Sequence, residues 1–406
     1  MISFLRTASP RALTISAVAA VSLLVAGPVI ATGAGRDSSR PAAKPLAQAL
    51  VDSTAPTTFD GVTARISFSN RLLDSVDMGE GASPLLGSGT GRLWASADGK
   101  VRVELQSSAG GGDVQLVANG KQAWVTMGDG STVYRATWNG KPDPAESKAE
   151  KRMPLTVQSI ETAIKSVAGE VKISDPVPDN VGGQPAYTVT ITPVDTSGLL
   201  AGVRVSWDSA NGAPLAVAIL AKGQTDPVLD LHATDVSFGP VDPAVFAIQP
   251  PAGAKITDVN LSDLAAKAKA QEAKGKAAGA ADHAKPVTGL DAVQAAVGFK
   301  ITAPATLGGL DRSNVVLIGK GSKAAAAVTY GTGMNAIAVI ERPASAKKPA
   351  SDQSGIQLPT KQIGGVTVTE FGTALGSVAQ FARDGVDFTV LGSVPLATVE
   401  SATAGL

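Results

Sequence analysis

The sequence predicts an α+β chain that is mainly antiparallel β, and three observations lead to that class. Short runs alternate apolar and polar residues, as where Val62, Ala64, Ile66 and Phe68 interleave with Thr63, Arg65, Ser67 and Ser69. Period two is the pattern of a strand with one apolar face. Asp98-Gly99, Asn119-Gly120 and Asp129-Gly130 separate successive runs, and such pairs supply the positive φ angles of tight hairpins. The 44 Gly and 25 Pro among 406 residues suit a chain with many turns.

The elements follow in order. Arg6 and Arg11 precede an uncharged stretch from Ala12 to Gly35. A basic start followed by an apolar run is an export signal, so residues 1–35 are read as a cleaved signal peptide or a retained signal-anchor, with association to the membrane through this segment in the second case. Residues 36–45 are a polar tether. A short helix follows, with Leu46, Ala49 and Leu50 on one side. A strand starts at Gly61, and the Gly/Ser-rich stretch from Met78 to Gly91 reads as a long loop, including the run Gly87, Gly89, Gly91.

Strands are then predicted at Gly91–Ala95, Val101–Leu105, Val114–Val117, Gln122–Met127 and Thr132–Thr137, an antiparallel meander. Val157, Ile160, Ile164 and Val167 recur at helical spacing after Pro154. Strands resume at Val171–Ile173, Tyr187–Thr192, Val203–Trp207, Pro214–Leu220 and Ala233–Phe238. The first folded unit is set at residues 46–258 and closes near Pro250-Pro251. An Ala/Lys-rich linker spans 259–286. A small α+β unit, 287–406, has helices at Asp291–Val297 and Pro395–Ala402 around strands at Val315–Ile318, Ala325–Tyr330, Ala336–Ile340, Val366–Phe371, Val378–Arg383 and Val386–Leu391.

Composition excludes several kinds of chemistry. Lys plus Arg equals Asp plus Glu at 35 each, so no charge surplus serves nucleic-acid binding, which rests on phosphate neutralisation. No cysteine is present; disulfides, thiolate nucleophiles, cysteine metal sites and lipid attachment to an N-terminal Cys are all excluded. No phosphate-binding Gly-x-x-x-x-Gly-Lys-Ser/Thr loop and no Gly-x-Ser-x-Gly elbow occurs. Ser345 and Lys348 match Ser-x-x-Lys within a Pro/Ala/Lys loop that lacks partner motifs. The two histidines are His232, beside Asp230 in an alternating strand, and His283, in the linker. A catalytic pair needs a nucleophile as well, and neither histidine sits among metal ligands at the usual spacing. The chain is read as non-enzymatic, with no metal and no cofactor.

Four ordered motifs carry a resemblance. Gly91-Arg92-Leu93-Trp94, then Asn119-Gly120-Lys121-Gln122-Ala123-Trp124, then Trp207-Asp208 to Asn211-Gly212, then Phe246-Ala247-Ile248-Gln249-Pro250-Pro251-Ala252-Gly253-Ala254 are similar to the LolA-like outer-membrane lipoprotein carrier family over residues 46–258. The whole chain resembles exported LolA-family proteins of actinobacteria, in which a small second domain follows. The resemblance implies an incomplete β-barrel covered by helices, whose cavity takes up the lipid chains of lipoproteins. It extends to the sigma-E regulators RseB and MucB, which bind an anti-sigma factor. In the carriers an Arg-Pro closely follows the Leu-Trp pair. Here Ala95-Ser96-Ala97-Asp98 follows, so that Arg latch has no counterpart.

The expected function is an extracytoplasmic protein that binds lipid or lipoprotein acyl chains. The alternative is an envelope sensor with a membrane-bound anti-sigma factor as partner. The expected apolar lining is Ile66, Phe68, Val103, Leu116, Val189, Ile191, Val205, Val217 and Ile219, with Val157, Ile160, Ile164 and Val167 on a lid helix. Which of Leu93 and Trp94 points inward stays open, because a one-residue slip reverses every face.

Overall fold

The computed structural model describes residues 40–53, 60–72, 87–108, 112–119, 122–128, 130–137, 156–260, 287–319, 321, 324–344 and 358–406. The N-terminal segment and most of the Ala/Lys-rich linker lie outside these residues.

In the first unit, helix α1 (Leu46–Ser53) leads into β1 (Gly61–Asn70), β2 (Ser88–Ser96), β3 (Val101–Ser107), β4 (Asp113–Ala118), β5 (Gln122–Gly128) and β6 (Thr132–Thr137). Helix α2 (Val157–Val167) separates this meander from a second set of strands. These are β7 (Val171–Ile173), β8 (Val177–Val181), β9 (Gln184–Pro193), β10 (Leu200–Asp208), β11 (Pro214–Ala221), β12 (Leu229–Phe238) and β13 (Lys255–Asn260). All belong to one 13-stranded sheet in the order β13-β6-β5-β4-β3-β2-β1-β12-β11-β10-β9-β7, with β8 also on β9. The β1–β12 pair joins the two sets.

The sheet curls. β8 stands four strands from β12 in the sheet order, about 19 Å away if the sheet were flat. Yet Val236 donates its backbone N–H to Gly182 O at 2.9 Å, and Gln184 Nε2 donates to Val236 O at 2.8 Å. Gly182 has φ +62°, and a Cβ there would meet Val236 Cγ2 at 2.9 Å; only glycine allows the turn and the close approach together. Gly91, between Ile66 and Leu105 in the ladder, makes a second tight point, since a Cβ would meet Glu104 O at 1.8 Å. Gly91 lies in a strand as expected, where glycine marks a bend, and the strand also takes in Gly89, which the sequence places in the preceding loop.

Strands β8 and β13 have no counterpart in the sequence reading. β8 carries Pro178, which an edge strand accepts, and it pairs only with β9. β13 follows Pro250-Pro251 and runs parallel to β6 as a new edge, so the chain re-enters the sheet after the two prolines. It continues two residues past the expected end of the first unit at 258.

The second unit comprises α3 (Leu290–Ala296), β14 (Thr306–Leu307), β15 (Leu310–Ile318), β16 (Ala325–Tyr330), β17 (Ile337–Pro343), β18 (Thr360–Ile363), β19 (Val366–Thr373), β20 (Gly376–Arg383), β21 (Val386–Gly392) and α4 (Leu396–Ala404). Its strands form an eight-stranded antiparallel sheet in the order β14-β15-β16-β17-β21-β20-β19-β18. Val328, Val339 and Val390 share one face by register and are fully buried together with Val293 of α3 and Val399 of α4. Phe381 and Phe388 stack in parallel at 4.8 Å.

Glu341 lies on this core face, two residues from Val339, and is fully buried. Its Oε2 accepts the Thr302 N–H at 2.7 Å, while Oε1 has no partner. Burial pushes its carboxyl up from 4.5 to about 7. The folded state therefore holds a proton that the unfolded chain releases at lower pH, and stability falls as pH rises between the two values. Denaturant unfolding of the full chain is expected to show a loss of about 3 kcal/mol from pH 4 to pH 8 through this group. Glu341→Gln, with no charge to bury, removes that decline.

Candidate functional site

In an antiparallel ladder, directly paired residues point to the same side, so the registers show which side chains share a face. From Phe68 the row runs to Leu231 of β12, Val217 of β11, Val205 of β10 and Val189 of β9. The next row contains Leu229, Ile219, Val203, Ile191 and Ile173. On the other side Ala64 pairs with Leu93, then Val103, Leu116, Val125 and Tyr134. Ile66 leads through Gly91 to Leu105, Val114 and Met127.

All the lining residues named from the sequence thus lie on one face of one sheet. Ile66, Val189 and Ile219 are buried, and Phe68, Val103, Leu116, Ile191, Val205 and Val217 are half-buried. The same face holds Leu93, Leu105, Val114, Leu229 and Leu231, which the sequence list left out. Their signal was present: Leu105 and Val114 stand two residues from Val103 and Leu116 in the same strands.

Leu93 faces this apolar side. Trp94 points to the other, where it pairs with Arg102 and the guanidinium lies 5.2 Å from its ring centroid. Arg102 also donates to Val245 O at 3.1 Å and ion-pairs with Glu104. Val117, Trp124 and Val133 are buried on this second face against Ala254. The chain after β12 therefore covers the outer side of the meander, while on the inner side Ala64, Ile66, Leu105 and Val114 are buried in one cluster with Leu215, Ala233 and Val236.

Three pieces of the described chain lie on the inner face. Leu46, Ala49 and Leu50 of α1 pack on Tyr187, Val189, Val205 and Trp207. The β8–β9 turn rests on Ala233 and Val236. The β19–β20 turn reaches Ile219. Helix α2 packs against α1, with Ile160 buried and Val157, Ile164 and Val167 half-buried. Toward β5 and β6 the face opens, and Met127 and Tyr134 are 40% and 42% exposed.

Polar chemistry lies elsewhere. His232 Nδ1 is 2.5 Å from Asp230 Oδ2, but both belong to the polar face, across the sheet from the lining. Among the described residues no group of three or more His, Asp or Glu side chains is placed to hold a metal ion. Two open depressions, of about 330 and 240 Å³, lie at Leu310–Ser313 with Gly331 and at Ser96–Asp98 with Phe246, away from the apolar face. No described helix is long and apolar enough to cross a membrane.

The α1 contact has its own polar lock. Trp207 Nε1 donates to Ser53 Oγ at 2.9 Å, and Ser53 Oγ donates to Ala49 O at 2.7 Å, all in a buried setting. Tyr187 Oη donates to Ala42 O at 2.6 Å, which holds the chain just ahead of α1. Ser53→Ala leaves the Trp207 N–H buried without an acceptor. It is expected to cost about 1–3 kcal/mol, read as a lower midpoint in urea unfolding followed by tryptophan fluorescence.

No protein-family model matches the chain, and no curated protein sequence does. Among solved structures the chain is similar to the MucA/MucB complex of Pseudomonas aeruginosa, at 16% identity over 88% of this chain and 94% of that one, with a TM-score of 0.35. It is also similar to a LolA superfamily protein from Nitrosomonas europaea, at 11% identity over 49% and 94% of the two chains, with a TM-score of 0.20. A putative outer membrane lipoprotein-sorting protein domain from Vibrio parahaemolyticus gives 12% identity, coverage of 46% and 88%, and a TM-score of 0.18.

Proposed function

We propose that this chain is a non-enzymatic binding protein that holds acyl chains of lipids or lipoproteins on the apolar inner face of its first unit. The observation that carries the reading is the continuity of that face, from Val125 through Ile66 and Val217 to Ile191, within a sheet whose opposite face is polar or already covered. The lining is Val, Leu, Ile and Ala with few aromatic rings, so it offers dispersion contact and no directional recognition. Burying a methylene is worth about 0.8 kcal/mol, so about ten give about 8 kcal/mol before the cost of association. That gross value is on the scale of a micromolar dissociation constant. The export signal at residues 1–35 supports work outside the cytoplasm, secreted or held at the membrane by that segment.

A second reading uses the same face or its rim for a protein partner, a membrane-bound anti-sigma factor. The docking of a second folded unit at the end of the face favours it, because such a unit adds surface that an acyl chain does not need. Pull-down from membranes separates the two: recovery of a signalling protein, without lipid in the purified sample, supports the partner reading.

For the acyl reading, the full chain is expected to release a fluorescent fatty acid when an unlabelled one is added. Val217→Glu, which sets a charge amid the lining, is expected to weaken binding at least about tenfold. His232→Ala, on the opposite face, leaves it unchanged. Absence of displacement from the native chain, with no lipid found in it by mass spectrometry, removes the reading.

A further inference from the structure

Among the described residues the sheet edges are short or guarded, with one exception. β14, β7 and β18 have two, three and four residues, and β8 carries Pro178. Short strands and proline keep a sheet edge from pairing with other chains. β13 has six residues, no proline and no shift of register against β6. Lys255, Ile256, Thr257 and Asp258 are all exposed, Ile256 to 44%, so neither face of this strand is covered there.

Successive peptide groups of a strand point to opposite sides, so every second residue bonds to a given neighbour. The Lys255 N–H donates to Ser131 O at 2.8 Å. Lys255, Thr257 and Val259 therefore turn their backbone groups to β6, and Ile256, Asp258 and Asn260 turn theirs away from it. Ile256 stands on the outer face beside Val133, while Thr257 stands on the inner face beside Tyr134, with Lys255 on the same side. Arg135 holds Asp258, donating from Nε and Nη2 to its two oxygens at 2.8 and 3.2 Å. Lys255 has no ion partner among the described residues.

We infer that β13 is a docking edge for an extended segment of a partner protein, which adds a strand to the sheet with an apolar side chain against Ile256 and an acidic one against Lys255. Charge selects such a segment, because Lys255 is the unmatched charge of the edge. A second copy of this chain fits less well. Two edges about 20 Å long bury far less than the roughly 1,200 Å² of a stable interface, and the acid of a second β13 is already held by its own Arg135. A flexible segment gains the same main-chain bonds and also folds over Ile256 and Tyr134. The inference is independent of the acyl-binding reading.

The test uses the full chain and fluorescein-labelled octapeptides that alternate valine with threonine, with glutamate replacing each threonine in turn, read by fluorescence anisotropy. One glutamate position is expected to bind best, and Lys255→Ala removes that preference. Ile256→Pro deletes an outward N–H and keeps the ladder to β6, and weakens binding at least about tenfold. N-methylation of one alternating set of peptide residues does the same, and of the other set does not. Binding by no peptide, or equal binding by the native chain, Ile256→Pro and both methylated peptides, overturns the inference. Self-association of the native chain in analytical ultracentrifugation that Ile256→Pro abolishes, with no peptide bound, assigns the edge to a second copy and overturns it too.

Discussion

The pairing of β1 with β12 is the constraint on which the first unit depends. Six strands lie beyond β1 and five more beyond β12, and each set has its own alternation of apolar and polar residues. Only the register that places Phe68 opposite Leu231 and Ile66 opposite Ala233 makes the two apolar faces one surface. A slip by one residue would carry Thr63, Arg65 and Ser67 onto that surface and put Ile66 and Phe68 into water. A bulge between Arg65 and Ile66 bends the pair, as an extra residue on one strand does. Next to it, the Val236 N–H turns to Gly182 instead of to β1.

Curvature follows from the same region. Gly91 leaves no side chain between Ile66 and Leu105, and the β8–β9 turn folds back to reach β12. The two devices act on opposite sides of the central pair. Together they make one face concave while the other is covered by the chain from Val245 to Ala254. Asymmetry of cover gives the sheet an inside and an outside, although both faces of the meander carry large apolar side chains such as Leu93 and Trp94.

The second unit is built on different terms. Its core is a dense layer of Val328, Val339, Val390, Val293 and Val399, with two buried carboxyls at Glu341 and Glu370, and the protonation of Glu341 is coupled to folding. Its contact with the first unit is small and mixed, a pair of apolar residues on a turn set among hydrogen bonds from Ser393 and Asp195. A contact of that kind fixes orientation through few side chains, so that single substitutions reach it without disturbing either core.

Much of this was legible in the sequence because alternation and turn chemistry are local. The strands around Val62–Phe68, Val101–Leu105 and Val203–Trp207, the helix at Val157–Val167 and the residues chosen for the lining follow from period two, period 3.6 and Asp-Gly or Asn-Gly pairs. Periodicity assigns side chains to two faces but does not say which face is inside, so the choice between Leu93 and Trp94 waited for the ladder. β8 and β13 escaped because edge strands bury little and so carry weak patterns, with Pro178 in one and Lys255, Thr257 and Asp258 in the other. Gly89 read as loop until the pairing of β2 with β1 and β3 showed the strand starting at Ser88. The sequence by itself determined most of the strands and how their side chains divide between two faces. The order of strands, the curl and the docking of Leu375 on Ile219 were decided by the tertiary structure, because each depends on residues far apart in the chain that have no local sign of meeting.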